Sequence, residues 1–260
     1  MNTRKPVRRD RTDEDTPEGL VYGRNAVREL LKSGREIDKI LVKRGDREGS
    51  IRVICAEALS RGIPVVDTEK EKLDRLCRSD SHQGVAAVAA EKEYCEVDDI
   101  LKLAEERDEM PFIVILDGIE DPHNLGAIIR TAECTGVHGV IIPKRRTAGL
   151  NATVAKASAG ALAHMAVARV PNLAAEIERL KEKGIWIYSA EAGGDDLYSC
   201  DLCRPAAFVF GSEGSGISRL IREKSDYTVS LKLYGKINSL NVSAAAAAVL
   251  CEAAHRRHGS

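Results

Sequence analysis

A chain of 260 residues can bury one large core or two smaller ones, and its 39 Lys and Arg against 40 Asp and Glu leave a formal net charge of -1. That balance excludes a global basic field, so any contact with nucleic acid has to be a local patch. A hydrophobic content of 43% with 30% charged residues fits a soluble globular protein, no apolar run reaches membrane-span length, and the polar N-terminus is unlike an export signal; a cytoplasmic location without membrane association is expected.

The first elements are read in chain order. Residues 1–19 carry Arg4, Lys5, Arg8, Arg9 and Arg11, then Asp13, Glu14, Asp15 and Glu18, with almost nothing apolar, which predicts a disordered basic and acidic tail. From there to residue 90 the pattern is that of a small α/β unit. Ala26, Val27, Leu30 and Leu31 share one helical face, Ile37 to Val42 reads as a strand, and Ile51 to Arg61 as a second helix. Ile63 to Val66 is a short strand, a third helix capped by Asp67 or Thr68 ends near Arg78, and Ser81 to Ala89 supplies a last strand. An acidic, helical-looking linker is expected over residues 91–110, interrupted near its end at Pro111.

Residues 111–260 form the larger unit. Phe112 to Leu116 is a continuous apolar run of the kind seen in strands covered on both faces. Further strands are predicted over Gly139 to Ile142, Met165 to Val170, Ile185 to Ser189, Ala207 to Phe210 and Tyr227 to Leu231. Helices are expected from Leu125, Thr153, Leu173, Ser218 and Asn241. This alternation predicts a mainly parallel sheet with helices on both faces, whose ligands bind beyond the C-terminal ends of the strands. Seven scattered cysteines point to reduced thiols. Cys200-Asp-Leu-Cys203 has knuckle spacing, but no second pair follows, so no metal is expected and both cysteines read as small buried residues.

Three polar loops stand at those strand ends. In Asp117 to Gly126 the Asp121-Pro122 step is a turn, Asn124 sits at or near the helix cap, and Arg130 follows among apolar neighbours. Such an arginine either snorkels, pairs with a carboxylate, or is aimed into a site. Phe208 to Ser218 carries Gly211, Gly214 and Gly216, whose spacing and position after the fifth strand are wrong for a dinucleotide-binding loop. Glu213 in its middle would repel a pyrophosphate and suits a ligand with a positive centre. The stretch Ser230 to Ser243 brings Asn238, Ser239, Asn241 and Ser243 to a helix start. Ala244 to Ala248 then leave that helix small-sided enough for close approach by another backbone or a ligand.

Asp121 to Ala132, Phe210 to Gly216 and Ser239 to Ser243 together resemble the three signature motifs of the SpoU/TrmH-type RNA ribose 2'-O-methyltransferases of the SPOUT superfamily, in family order and over Pro111 to about Arg257. Val21 to Val27, which includes Arg24, and His82 to Val85 resemble the ribosomal-protein-like substrate-binding domain of some subfamilies. Pro143 to Gly149 and Ala155 to Gly160 resemble the bacterial 23S rRNA (guanosine-2'-O-)-methyltransferases. The resemblance implies a catalytic domain with a deep trefoil knot, a homodimer with its active sites at the interface, and S-adenosylmethionine as methyl donor held by Gly211, Leu231 and Leu240. It implies a catalytic group of Asn124, Arg130, Glu213, Ser239 and Asn241, and as substrate 23S rRNA or a large-subunit precursor. A tRNA substrate and a non-catalytic rRNA-binding protein are the alternatives. Lys144, Arg145, Arg146 and Lys156, with Arg24 in the first unit, are the candidate RNA contacts. The pattern departs from the family at Lys232, where many members carry proline.

Overall fold

The computed structural model describes residues 19–46, 48–90 and 92–259. The tail expected over residues 1–19 therefore lies, but for Gly19, outside the described residues. The chain divides between Ala89 and Ala90 into two compact units.

The first unit is built on a four-stranded sheet. Its elements are β1 (Leu20–Tyr22), α1 (Arg24–Lys32), β2 (Ile37–Lys43), α2 (Gly49–Ser60), β3 (Val65–Thr68), α3 (Lys70–Cys77) and β4 (Val85–Ala89). Strand order is β1-β4-β2-β3, with β4 antiparallel to β1 and β2 and with β3 parallel to β2. The i, i+3, i+4 stripe of Val27, Leu30 and Leu31 seats α1 beside α2 on one face, while Leu73 and Cys77 seat α3 on the other. Along β2, Ile40 and Val42 face the first cluster and Leu41 the second, as the two-residue period requires. β1 has no counterpart among the expected strands, since a three-residue edge strand has no periodicity of its own and exists through its pairing with β4.

The second unit carries α4 (Val97–Glu106), β5 (Phe112–Asp117), α5 (Pro122–Cys134), β6 (Gly139–Pro143), α6 (Ala152–Ala157), β7 (Ala166–Val170), α7 (Leu173–Glu182), β8 (Trp186–Asp196), β9 (Ala206–Gly211), α8 (Arg219–Lys224), β10 (Tyr227–Ser230) and α9 (Val242–His258). Its six strands run parallel in the order β10-β8-β9-β5-β6-β7. Alternation along β5 explains why that segment is apolar throughout. Phe112, Val114 and Leu116 pack with α5, α6 and α9 on one face, and Ile113 and Ile115 pack with α4, α7 and α8 on the other. Each such fully buried side chain contributes about 1.5–3 kcal/mol relative to exposure.

Two segments differ from the sequence reading. The helical stretch expected in the linker, 91–110, is present as α4, which a capping box between Glu96 and Asp99 starts; the difference is that it buries Val97, Ile100 and Ala104 in the second unit. Gly139 makes room for it, since a Cβ there would lie 2.5 Å from Ile100. Acidic residues on the outer face hide that short apolar stripe in the sequence. β8 also runs past the expected Ser189. Its pairing with β10 jumps from Ser189 opposite Thr228 to Asp195 opposite Val229, so residues 190–194 bulge out of the ladder.

Candidate active site

Asn124 is not a helix cap. The cap of α5 is Asp121, whose Oδ1 accepts from the His123 amide at 3.0 Å, with Pro122 at the first helical position. That leaves the Asn124 side chain, buried in the first turn, free to point across the strand ends. Its Nδ2 donates to Glu213 Oε1 at 3.1 Å, and its Oδ1 accepts from Asn241 Nδ2 at 3.0 Å. Asn241 Nδ2 also donates to the same Glu213 oxygen. One carboxylate oxygen thus gathers two amides that lie 117 residues apart in the chain. The other end of Asn241 caps α9: its Oδ1 accepts from the Ser243 amide at 2.9 Å, the Ser243 hydroxyl at 2.6 Å and the Ala244 amide at 3.3 Å. Capping and site-building are therefore done by opposite ends of one side chain. Asn238 and Ser239, expected to share the capping, lie in the preceding loop instead.

Glu213 stands on a tight loop closed by paired hydrogen bonds between Ser212 and Gly216, at 3.1 and 2.9 Å. Gly216 has φ +65°, and a Cβ on Gly211 would lie 2.1 Å from the Gly216 carbonyl carbon, so strand end and loop can touch only because Gly211 has no side chain. Gly214, in the same loop, has open space around it.

A cavity of about 400 Å³ opens beside this loop at the ends of β8, β9 and β10. Gly211, Leu231 and Leu240 all line it, as do Glu213 and Ser239. Its size falls in the range of about 300–1,000 Å³ usual for small-ligand sites, and its walls mix apolar side chains with polar and charged ones. Two lining residues were not anticipated from the sequence. The bulge in β8 brings Glu191 into the wall, where its Oε1 accepts from the Ile217 amide and from Arg222 Nη2, both at 3.1 Å. This pair fastens the glycine loop to β8. The only sequence signal was the Ala192-Gly193-Gly194 run that lets the strand bulge, and a Cβ on Gly194 would lie 2.4 Å from Thr228 O.

A second cavity, about 690 Å³, shares Ser212, Glu213, Gly216 and Val242 with the first and also reaches Asn124, Arg145 and Arg146. The carboxylate–amide cluster therefore borders both cavities, the second of which carries Arg145 and Arg146 alongside Asp117, Glu120 and Asp121. Lys144 is half-buried outside that lining, and Lys156 is exposed on α6. In the first unit Arg24 Nε donates to Gln83 O at 3.1 Å and its Nη2 lies 3.5 Å from Asp46, in a cleft with Lys43 and Lys70. Lys232 is ion-paired with Asp196 at 2.5 Å, which restrains the loop where proline is absent. That contact holds the ammonium above its ordinary range and the carboxyl below it.

Arg130 is the site residue that the structure does not bring to the others. Six residues past Asn124 on α5, it sits about 9 Å further along the axis and about 240° around it. It is exposed and has no hydrogen-bond or ion-pair partner among the described residues. Cys200 and Cys203, read as a buried pair, donate separately to Asp196 O and Arg256 O, and Cys203 is exposed. Among the described residues no cluster of three or more His, Cys, Asp or Glu could hold a metal ion, and no helix is long and apolar enough to cross a membrane.

Residues 111–251 match the family model described as SpoU rRNA Methylase family, and residues 20–95 match the model for RNA 2'-O ribose methyltransferase substrate binding. A Bacillus subtilis (strain 168) protein named as a TrmH family tRNA/rRNA methyltransferase, YacO, is 46% identical over 92% of this chain and 96% of its own. A Staphylococcus aureus (strain MSSA476) protein named for the same family is 45% identical over 94% and 98%. Among solved structures, the SpoU methyltransferase AviRb from Streptomyces viridochromogenes, in complex with AdoMet, has a similar fold: TM-score 0.59, 24% identity, over 93% of this chain and 91% of that one.

Proposed function

Since this chain belongs to the SpoU/TrmH family of RNA methyltransferases, we propose that it methylates a ribose 2'-hydroxyl of a guanosine in 23S rRNA, or in a large-subunit precursor, using S-adenosylmethionine. The observation that carries this reading is the Asn124–Glu213–Asn241 cluster bordering the two cavities. Bound there, the donor would supply a sulfonium methyl group to the ribose oxygen, leaving as the neutral thioether S-adenosylhomocysteine while the hydroxyl proton goes to water.

The first cavity fits that donor. Gly211, Leu231 and Leu240 line it with backbone and apolar surface, and the Glu213 carboxylate at its border suits a positive centre. Glu213 also holds both amides, so Asn124 and Asn241 are fixed before substrate arrives, and Ser239 offers a hydroxyl to the reacting ribose. Holding two reactants in line contributes up to about 7–11 kcal/mol of the barrier. Arg145 and Arg146 at the second cavity, with Lys144 and Lys156 nearby, take RNA phosphates.

Arg130 acts from a second copy of the chain. Its place on α5 turns it away from the cluster, and the neighbouring outer face of α9 exposes the small residues Ala244 and Ala248, over which two copies can approach closely. A guanidinium stays protonated, so Arg130 orients the hydroxyl oxygen and stabilises the developing alkoxide rather than removing its proton. We assign residues 20–90 to RNA binding and 111–260 to catalysis, and we take Ser230 to Ala248 as the last pass of the knot. The seven free cysteines suit a cytoplasmic enzyme.

The test is mass-spectrometric mapping of 2'-O-methyl nucleosides in rRNA and tRNA from cells with and without the gene, paired with methylation of unmodified 23S rRNA by the purified protein. Loss of one 2'-O-methylguanosine from 23S rRNA, restored in vitro, is expected. An unchanged rRNA map with a missing tRNA methyl group would overturn the substrate.

A further inference from the structure

The loop between β10 and α9 does two things at once. Its Leu233, Asn238, Ser239 and Leu240 line the first cavity, while Tyr234 and Ile237 stand out into solvent with 93% and 75% of their surface exposed. Tyr234 has the largest fractional exposure of the large apolar side chains among the described residues. This is unusual in a chain with only 3 Phe, 6 Tyr and 1 Trp. The three Phe are buried, Tyr188 stacks on Phe208 and Tyr227, Trp186 lies against Tyr227 and under Arg204, and Tyr94 lies under Arg169; Tyr22 and Tyr198 are exposed too, but to 40% and 57%. The Tyr234 ring packs against no other ring or cation among the described residues.

We propose that Tyr234 is a stacking platform for an unpaired nucleobase of the RNA, next to the nucleotide being methylated. The inference rests on the reading of the chain as an RNA 2'-O-methyltransferase and names a residue that selects its substrate. Three features favour a nucleobase over another occupant. Tyr234 lies between Lys232 and Lys236; Lys232 is held by Asp196, whereas Lys236 is exposed and has no ion-pair partner among the described residues, so a cation is free for the adjoining phosphate. Tyr234 and Ser239 are five positions apart, at most about 18 Å of extended chain, which keeps the ring within reach of a flanking nucleotide. Sequence-specific RNA recognition favours unstacked bases, and a base that leaves its stack beside the target needs a π-face to replace its lost neighbour. Ile237 then extends the apolar shelf beside the ring.

The experiment compares wild type with Tyr234→Ala, Tyr234→Leu, Tyr234→Phe and Tyr234→Trp. It measures anisotropy of a fluorescein-labelled single-stranded oligoribonucleotide, KM for rRNA and for S-adenosylmethionine, and sedimentation. Stacking predicts that Ala and Leu weaken RNA binding about 5- to 100-fold while Phe and Trp keep it. KM for S-adenosylmethionine and the oligomeric state are expected to stay unchanged. Lys236→Ala is expected to lower the salt dependence of RNA binding. Unchanged RNA binding in Tyr234→Ala overturns the proposal. So does a change confined to S-adenosylmethionine, which makes the loop a cover for the donor, or to oligomeric state, which makes it a protein contact. A wild-type protein that binds RNA yet methylates none overturns the enzymatic reading and leaves the binding comparison to decide Tyr234.

Discussion

Replacing Gly211 by alanine tests the geometry of the donor cavity more sharply than removing any polar side chain. The added Cβ would lie 2.1 Å from the Gly216 carbonyl carbon and 2.2 Å from the Ile217 nitrogen, against about 3.4 Å for an ordinary contact, so backbone has to retreat by roughly 1.3 Å. Three hydrogen bonds span that gap: the two between Ser212 and Gly216, at 3.1 and 2.9 Å, and Ile217 N–H to Glu191, at 3.1 Å. Stretching them costs about 0.5–1.5 kcal/mol each. Together they amount to about 2–4 kcal/mol, in the same range as overpacking a tight site. If the loop relaxes in the free protein and has to return to its native position to seat the donor, the cost falls on ligand affinity. At about 1.4 kcal/mol per tenfold, S-adenosylmethionine binding weakens by at least about 30-fold. Titration calorimetry reads this directly, and circular dichroism checks that the sheet survives. Gly214→Ala is the control: nothing lies within 4 Å of its Cβ position and its φ is not positive, so binding is expected to stay within about threefold of wild type. Equal effects of the two substitutions, whether both harmless or both severe, would refute the assignment of the cavity.

Two further outcomes are expected. If Arg130 serves a site built by another copy, Arg130→Ala and Asn241→Ala proteins are each inactive, but mixing them through a denaturation–renaturation cycle restores up to about a quarter of wild-type turnover, because half of the chains enter mixed dimers holding one intact site each; no recovery would return Arg130 to its own chain's site. His138 sets a stability slope. Burial holds its imidazolium below the ordinary 6.5, against the opposing pull of Glu109 at 2.9 Å, and protonation would also forfeit the hydrogen bond that Nδ1 accepts from the Phe112 amide. The unfolded chain therefore binds this proton first as pH falls. The stability is complete above pH 6.5 and declines below it, and His138→Gln is expected to flatten the fall in Tm between about pH 6.5 and 5. An unchanged slope would mean that other groups govern it.

Much of the fold was legible because burial on two faces, or on one, writes a period into the chain. The apolar run Phe112 to Leu116 and the stripe Val27, Leu30, Leu31 each name their element and its covered side. β1 escaped because it is too short to carry a period; α4 was legible as a helix, but acidic residues on its outer face mask the stripe that packs it into the second unit. The candidate site was legible as residue types but not as an arrangement. Asn124 and Asn241 both looked like caps, and in the structure only Asn241 is one.

By itself the sequence determined the alternation of strand and helix, the three polar loops at the strand ends and the small side chains of α9. These are local properties, set by backbone freedom, capping chemistry and the two- and 3.6-residue periods. Only the tertiary structure decided which glycine of the Phe208 to Ser218 loop is indispensable, since Gly211 and Gly214 differ in what lies opposite them and not in kind. It alone brought Glu191 into the cavity through a bulge in β8, and gathered Asn124, Glu213 and Asn241 on one carboxylate oxygen. It also turned Arg130 away from them. The six-residue spacing on α5 sets Arg130 about 240° from Asn124, but only the packing of α5 decides that the cluster lies on the Asn124 side.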